Sequence, residues 1–263
     1  MAKLRSALCI LLCLAMILAL TTACGGGGGY RIIDEYSGEG SYFIAFRKGD
    51  HLRDYITAAM QELADSGSLR AASINWFGEN LVSVRGQEGA MEELWETKPD
   101  RTLIVGIDPT NMPMSYPAGD TYQGFDVDMI SYICGYLGWS MVLYPINIDD
   151  AQVELNSGNI DVAMAVPENE QSSNFDYSPA YLTSQYVLVT RTGSHIRRRS
   201  GLKGKTLGVA VSDVDVLQED EKFVDSLGSI TYQTNTDGLF LALMKGEVDG
   251  ILVSSVVAAY HIK

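Results

Sequence analysis

The sequence predicts an α/β protein of two modules. Apolar strands and amphipathic helices alternate from residue 102 to residue 166, and the alternation restarts at 205 and runs to 262. A further strand, 185–191, lies between the two runs. This spacing calls for parallel βαβ units, because parallel neighbours need a crossover long enough to hold a helix.

Ahead of the first module, "YRII" (30–33) and "SYFIAFR" (41–47) read as short strands. The segment "HLRDYITAAMQELADSG" places Leu52, Tyr55, Ile56, Ala59, Met60 and Leu63 on one helical face, and Ser66-Gly67 ends it. A shorter helix then reaches "INWFG" (74–78). Residues 79–100 are a polar, acidic connector with one helical turn expected around "MEELWE".

The first module opens with the buried-type strand "TLIVGID" (102–108). The helix "GFDVDMISYICGYLG" (124–138) follows, with Phe125, Met129, Tyr132, Ile133 and Tyr136 at helical spacing and Gly138 suited to its C-cap. Asp126 and Asp128 suit its N-terminus. Next come strand "SMVLYPI" (140–146), a helix to Gly158 with Asp149 or Asp150 as its cap, and strand "IDVAMAV" (160–166). The second module reads as strand "KTLGVAV" (205–211), an acidic helix over about 213–227, strand "SITYQ", helix "TDGLFLALMKG", strand "DGILV" and helix "SSVVAAYHI". No fixed-period repeat is present.

The N-terminus bears on compartment. Lys3 and Arg5 precede the apolar run "SALCILLCLAMILAL", and "TTAC" follows, the layout of an export signal. The small residues before Cys24 resemble a bacterial lipoprotein cleavage box, although Thr21 stands where such boxes usually carry Leu. The expectation is a signal over 1–23, lipid on Cys24, and a Gly-rich tether over 24–29 ahead of the domain at 30–263. An ordinary signal peptide or a lone membrane anchor are the other readings. Cys9 and Cys13 leave with the signal, and Cys134 sits within an apolar helix as a small hydrophobe. Loss of Lys3 and Arg5 takes the net charge from −14 to −16, which argues against nucleic acid as a partner. "HIRRRS" (195–200) is the local exception, either a solvated loop or a docking patch for an anionic partner.

The order "TLIVGID…PMSY…YQGFDVDMISYIC…NSGNIDVAMA…FDYSPAYL…LKGKTLGVAV…LMKGEVDGILV" resembles the bacterial extracellular solute-binding proteins of family 3, the polar amino-acid type. The resemblance implies a two-lobed, type II periplasmic-binding-protein-like (Venus flytrap) fold on the extracellular face of the cell membrane. It also implies a small-molecule ligand and an ABC transporter permease as partners. The segment "YFIAFRKGDHLRDYITAAMQELADSGSLRAASINWFG" resembles the same family's C-terminal end, yet it comes first. The pieces are therefore those of a circularly permuted chain. Its hinge strands are expected near 42–47 and 185–191, one lobe over about 48–184, and the other over about 190–263 plus 30–41. Residues 41–47 should then lie beside 185–191. Domain swapping with a second copy, or a remnant of tandem domains, would produce the same order.

Family members hold an α-amino acid through an Arg on the carboxylate, a Gly-Thr turn at a helix start, and an Asp on the ammonium. Here the Arg position holds Gln171, the turn holds Ser212 and Asp213, and the Asp position holds Ser254. Asn111 and Ile148 stand where aromatic residues often do, and Asp108 is retained. Tyr116, Val166 and Glu168 complete the candidate ligand-binding set. A Gln donates a hydrogen bond but cannot neutralise a desolvated carboxylate, a deficit of order 2–5 kcal/mol. Asp108, Glu168 and Asp213 therefore favour a cationic or neutral ligand.

No cofactor and no metal site is expected: His51, His195 and His261 are isolated, and "LKGKT" lacks the earlier glycine of a phosphate loop. The reading that follows is a lipid-anchored solute-binding protein for an ABC importer, capturing a small polar solute. The alternative is a non-transporting sensor or partner-binding relative with a degenerate cleft. An enzyme is the third possibility, since some dehydratases share the fold, but no acid–base pair supports one.

Overall fold

A computed structural model describes residues 29–167 and 175–263. Strand β1 (Tyr30–Arg47) is followed by helices α1 (Leu52–Asp65) and α2 (Ser68–Phe77). The first module comprises β2 (Thr102–Ile107), a small hairpin β3 (Tyr116–Ala118) and β4 (Thr121–Gln123), α3 (Phe125–Leu137), β5 (Ser140–Pro145), α4 (Ala151–Ser157) and β6 (Val162–Pro167). Strands β7 (Phe175–Tyr177) and β8 (Leu182–Arg191) lead to the second module. That module contains β9 (Thr206–Ala210), α5 (Glu221–Ser226), β10 (Ser229–Gln233), α6 (Thr236–Lys245), β11 (Gly250–Ser254) and α7 (Ser255–Ile262).

The main strands form one sheet in the order β10-β9-β11-β8-β1-β6-β2-β5, with β7 also on β1. Within each module the pairing is parallel, β2 to β5 and β6, and β9 to β10 and β11. The inner strands β2, β6, β9 and β11 are short apolar runs, as strands covered on both faces require, whereas the edge strands β5 and β10 leave Val142, Tyr144 and Tyr232 exposed. Antiparallel pairing at β11–β8, β8–β1 and β1–β6 joins the two halves.

The front of the chain differs from the sequence expectation. Residues 30–33 and 41–47 belong to one strand, because the polar stretch between them finds partners on β8. Tyr30–Tyr42 runs beside Leu182–Arg191, whereas Tyr42–Arg47 pairs with β6 and β7. The expected contact of 41–47 with 185–191 is thus displaced, and the segment beside 185–191 is 30–39. Between Glu35 and Glu39 the chain advances four residues while β8 advances two, from Val187 to Gln185, and this bulge absorbs the polar segment.

Strand direction places the two halves head to head. β9 and β11 run in the sense of β1, and β2, β5 and β6 run against it. Ser254, the last residue of β11, stands opposite Tyr186 of β8. Tyr42 stands opposite both Pro167, the last residue of β6, and Leu182 of β8. The carboxyl ends of the two halves therefore face each other across residues 182–186, a span of about 13 Å. Crevices at such strand ends are where open α/β sheets take ligands.

The largest apolar cluster lies where α1, α2 and α3 cover β1, β2 and β6, and it holds Phe46, Ile56, Met60, Leu103, Phe125, Ile133 and Leu182 among others. Helix α7 ties the halves together, with Val256 and Ala259 in this cluster and Ala258 in the one beneath β8 and β11. The connector 79–100 forms turns without a helix, pinned by buried Met91, whose amide donates to Glu62 Oε1 at 3.2 Å. Two further expectations are corrected. The acidic stretch is a 3-10 run, Val211–Asp220, before a short α5, since only Leu217 of it finds a buried place. Asp220, whose side chain accepts from Phe223 N at 3.0 Å, is the cap of α5. Neither Asp149 nor Asp150 caps through its side chain; Asn147 accepts from Asp149 N at the start of that turn. Cys134 is buried, and burial pushes its thiol up to about 11, in keeping with a packing role. Among the described residues no helix is long and apolar enough to cross a membrane.

Candidate functional site

Most of the residues singled out from sequence sit at the facing strand ends. Asp108 and Asn111 follow β2, Ile148 follows β5, Ser212 and Asp213 follow β9, and Val166 and Ser254 lie at the ends of β6 and β11. Glu168 and Gln171 lie outside the described residues.

The loop after β2 is closed by its own hydrogen bonds. The Asp108 carboxylate accepts from Thr110 N at 2.8 Å and Thr110 Oγ1 at 2.7 Å, and its carbonyl accepts from Ser115 Oγ at 2.6 Å. The Asn111 carbonyl accepts from the amides of Met114 and Ser115 at 2.7 and 2.9 Å. Gly124 lets the start of α3 clasp this loop: Phe125 N donates to Pro113 O and Asp126 N to Met114 O, each at 3.0 Å. Asp108 is held in one orientation by groups of its own turn, with no cation among them.

Val166 is a correction. It is 2% exposed and packs in an apolar cluster with Ala163, Ile146 and Phe175, with Ile148 against the rim. The cause is local. Ala165 has φ 55°, in the left-handed region, so the alternation of β6 is broken there. Val162 and Met164 face one cluster, and Val166 joins Ala163 on the other face. Tyr116 is a second correction. Its ring meets Trp76 edge-on at 6.3 Å, its hydroxyl bonds Tyr260, and desolvation pushes it up to about 12. It is part of an aromatic corner with Trp76, Tyr260 and α7.

The second half brings its candidates together. Asp213 accepts from Ser212 Oγ at 3.0 Å and from the Tyr186 hydroxyl at 3.3 Å. Burial raises its pKa, and those two hydrogen bonds oppose the rise. Ser254 Oγ accepts from Val257 N at 3.3 Å as the N-cap of α7, and it also bonds the hydroxyl of Tyr42. Burial pushes Tyr42 up to about 12, and the charges of Asp126 and Asp213 add to the rise.

Sequence reasoning missed the centre of this arrangement. Tyr42, Tyr181 and Tyr186 stand on β1, just ahead of β8, and on β8, where the halves meet. The Tyr42 and Tyr181 rings lie 6.4 Å apart. The Tyr181 hydroxyl accepts from Ala165 N at 3.0 Å and donates to Asp126 Oδ1 at 2.8 Å. Asp126, expected only to favour a helix N-terminus, is wholly buried, and its Oδ2 has no partner. Desolvation pushes it up to about 8, against the hydrogen bond from Tyr181. Asp128, by contrast, faces outward enough to accept Trp76 Nε1 at 2.7 Å. The Tyr-containing segments have strand periodicity alone, and nothing in it reports where a hydroxyl will end up.

The site is acidic. Among the described residues no ion pair includes Asp108, Asp126 or Asp213. The carboxylate of Asp161, at the amino end of β6 and away from the site, is paired with Arg101 at 2.7 Å and Arg47 at 3.3 Å. Among the described residues no group of three or more His, Cys, Asp or Glu is placed to hold a metal.

Residues 103–246 match the model of the bacterial extracellular solute-binding proteins, family 3. The chain belongs to that family. Among curated relatives, the arginine-binding extracellular protein ArtP of Bacillus subtilis is 24% identical over 166 residues, covering 62% of this chain and 65% of the relative. The L-cystine-binding protein TcyJ of Escherichia coli K12 is 26% identical over 175 residues, 64% of each chain. The chain thus spans about two thirds of the length of these relatives. Among solved structures, an ancestral cationic amino-acid solute-binding protein is similar with a TM-score of 0.53 at 24% identity, covering 66% of this chain and 76% of that one. The fold is that of the type II periplasmic-binding proteins. Solute-binding proteins of this family are expected outside the cytoplasmic membrane, and the curated relatives are named as binding proteins.

Proposed function

We propose that the chain captures a small solute, cationic or neutral and of amino-acid or amine type, between its facing strand ends and delivers it to an ABC importer. The observation that carries this reading is that Asp108 and Asp213 stand at the facing strand ends of the two halves, neither in an ion pair among the described residues, in a member of a solute-binding family. A buried carboxylate ligand would find no counter-charge among the described residues, whereas a guanidinium or ammonium would find two acids. The names of two similar proteins, one arginine-binding and one for cationic amino acids, agree with that charge logic. The reading is of a binder and not of an enzyme.

The test is thermal melting of the full chain with L-arginine, putrescine, glycine betaine, L-cystine and L-glutamate. Ligand at 100 times its Kd adds about 2.7 kcal/mol, a rise of about 5–10 °C for a domain of this size. We expect a rise with a cationic compound, none with glutamate, and loss of the rise in Asp213→Asn. One observation favours a second reading: Asp108 and Asp213 are already hydrogen-bonded by their own neighbours, as in a cleft that has lost its ligand. A cooperative melt that no compound shifts would select that reading, a sensor or partner-binding relative.

We also infer that the mature chain is lipid-anchored at Cys24 and circularly permuted, with residues 30–78 standing where the family has its C-terminal end. Two features support the permutation: the family match begins only at residue 103, and Tyr30 and His261 meet on one ring. Tyr30 lies edge-on to Phe240 at 5.0 Å, and His261 stacks on Phe240 at 3.7 Å. A chain reopened within 79–100, with Lys263 joined to Tyr30 by a short linker, should fold to a monomer with the same circular dichroism spectrum. A reopened chain that is unfolded would sink the permutation, and an obligate dimer of the present chain would point to swapping.

A further inference from the structure

The end of the second half that faces away from the crevice has a composition unlike the rest of the chain. The loop after β8 lies at the amino ends of β9 and β11, five residues along β8 from the Ser254 level, or about 17 Å. It is held rigidly. The Arg31 guanidinium donates to the carbonyls of Arg191 at 3.2 Å, of Ser194 at 3.1 Å and of Thr192. Ile196 is plugged into the core, its carbonyl accepting from Thr190 Oγ1 at 3.1 Å and its amide donating to Ser194 Oγ at 3.0 Å. With Ile196 turned inward, the flanking His195, Arg197 and Arg198 are exposed. Arg199 is not available, because it stacks between Tyr36 and Phe223 and pairs with Asp220.

Beside this loop is a pocket of about 580 Å³ lined by Gly29, Tyr30, Arg191, Gly193, Ser194 and Met244. Met244 is 58% exposed, and Leu241, one helical turn away on α6, is exposed too. Nearby acids are matched: Glu247 with Lys245 and Asp249 with Lys205, each at 4.0 Å. The Thr192 amide donates to the Gly29 carbonyl at 2.7 Å, so the five-glycine run 25–29 joins the domain at this same place.

We propose that this face docks on a bilayer carrying anionic headgroups, with Arg197, Arg198 and His195 on the phosphates and Met244 and Leu241 at the interface. The inference rests on the reading that the N-terminus is held at the membrane. A chain of net charge −14, or −16 once Lys3 and Arg5 are lost, is repelled by an anionic surface, and only a face with a local excess of cations can approach within a screening length of about 8 Å. Five residues of chain span at most about 18 Å, which keeps this face closest to an anchored Cys24. Docked so, the domain holds its crevice open to solute, and delivery to the importer requires release from this face. Basic residues beside exposed apolar ones are the composition that interfacial binding requires.

The test uses the full chain in vesicles of phosphatidylcholine alone or with 30 mol% phosphatidylglycerol. Hydrogen exchange is followed at residues 192–200 and 241–246, and retention on the vesicles is measured after a 0.5 M salt wash. Protection is expected only on anionic vesicles at low salt. It should fall at least about tenfold in the double variant R197S/R198S, as two cations worth about 1 kcal/mol each require. Anchoring shows separately, as retention after the wash on both vesicle types. Equal protection on both compositions, or protection indifferent to salt or to the double variant, overturns the docking face. Should the chain wash off, low-salt co-sedimentation with anionic vesicles decides: binding that R197S/R198S weakens supports the face, and binding it leaves unchanged overturns it.

Discussion

Replacing Gly124 by alanine should destabilise the protein by at least about 3 kcal/mol, seen as a fall of about 6–12 °C in Tm. Gly124 has φ 143°, where L side chains are strained. A Cβ there would also sit 2.1 Å from Met114 O and 2.9 Å from Pro113 O. Both carbonyls accept from the first amides of α3, so neither can move away without breaking the clasp that holds the Asp108 loop. Relief therefore has to come from rotating the start of α3, which carries fully buried Phe125 and Asp126. Thermal and urea denaturation check this, and a Tm within 2 °C of the parent would sink it. Since the clasp orients the Asp108 turn, any ligand-induced rise in Tm should shrink as well.

The second large effect is a pH dependence at Asp126. Its carboxyl is pushed up to about 8 in the folded protein, from an ordinary 3.8, chiefly by burial. Below pH 4 the group is neutral in both states and adds no pH dependence. Between pH 4 and 8 the unfolded chain releases the proton while the folded chain keeps it, so stability falls as pH rises. One such group gives a slope of up to about 1.4 kcal/mol per pH unit. Asp126→Asn removes the titration and keeps an acceptor for the Tyr181 hydroxyl. The protonated acid and the amide each leave a polar group without a partner, so the two proteins should be similar near pH 4. The variant should gain on the parent steadily from pH 5 to pH 7. Urea midpoints at pH 5, 6 and 7 decide it, and parallel profiles would mean that Asp126 is ionised in the fold. At neutral pH the neutral form leaves the crevice charge to Asp108 and Asp213.

What the residue order determined by itself was local and periodic. The alternation of apolar strands with helices over 102–166 and 205–262 reflects burial on both sheet faces and leaves a pattern within short windows. Ser254 and Asn235 cap their helices through contacts only three residues long, the latter accepting from Gly238 N at 2.9 Å, although the same local rule failed at Asp150. The tertiary structure decided what depends on residues far apart in the chain. The polar run 34–41 continues β1 only because β8 supplies partners for its amides and carbonyls. The left-handed Ala165 moved Val166 from the face of Val162 and Met164 to that of Ala163, where it is packed in an apolar cluster rather than open to a ligand. Asp126 and Tyr181, 55 residues apart, share a hydrogen bond that no spacing signals. Periodicity records which face of an element is apolar. The partners of a buried hydroxyl or carboxylate are set by chain crossings at β1 and β8, and these exist only once the sheet has closed.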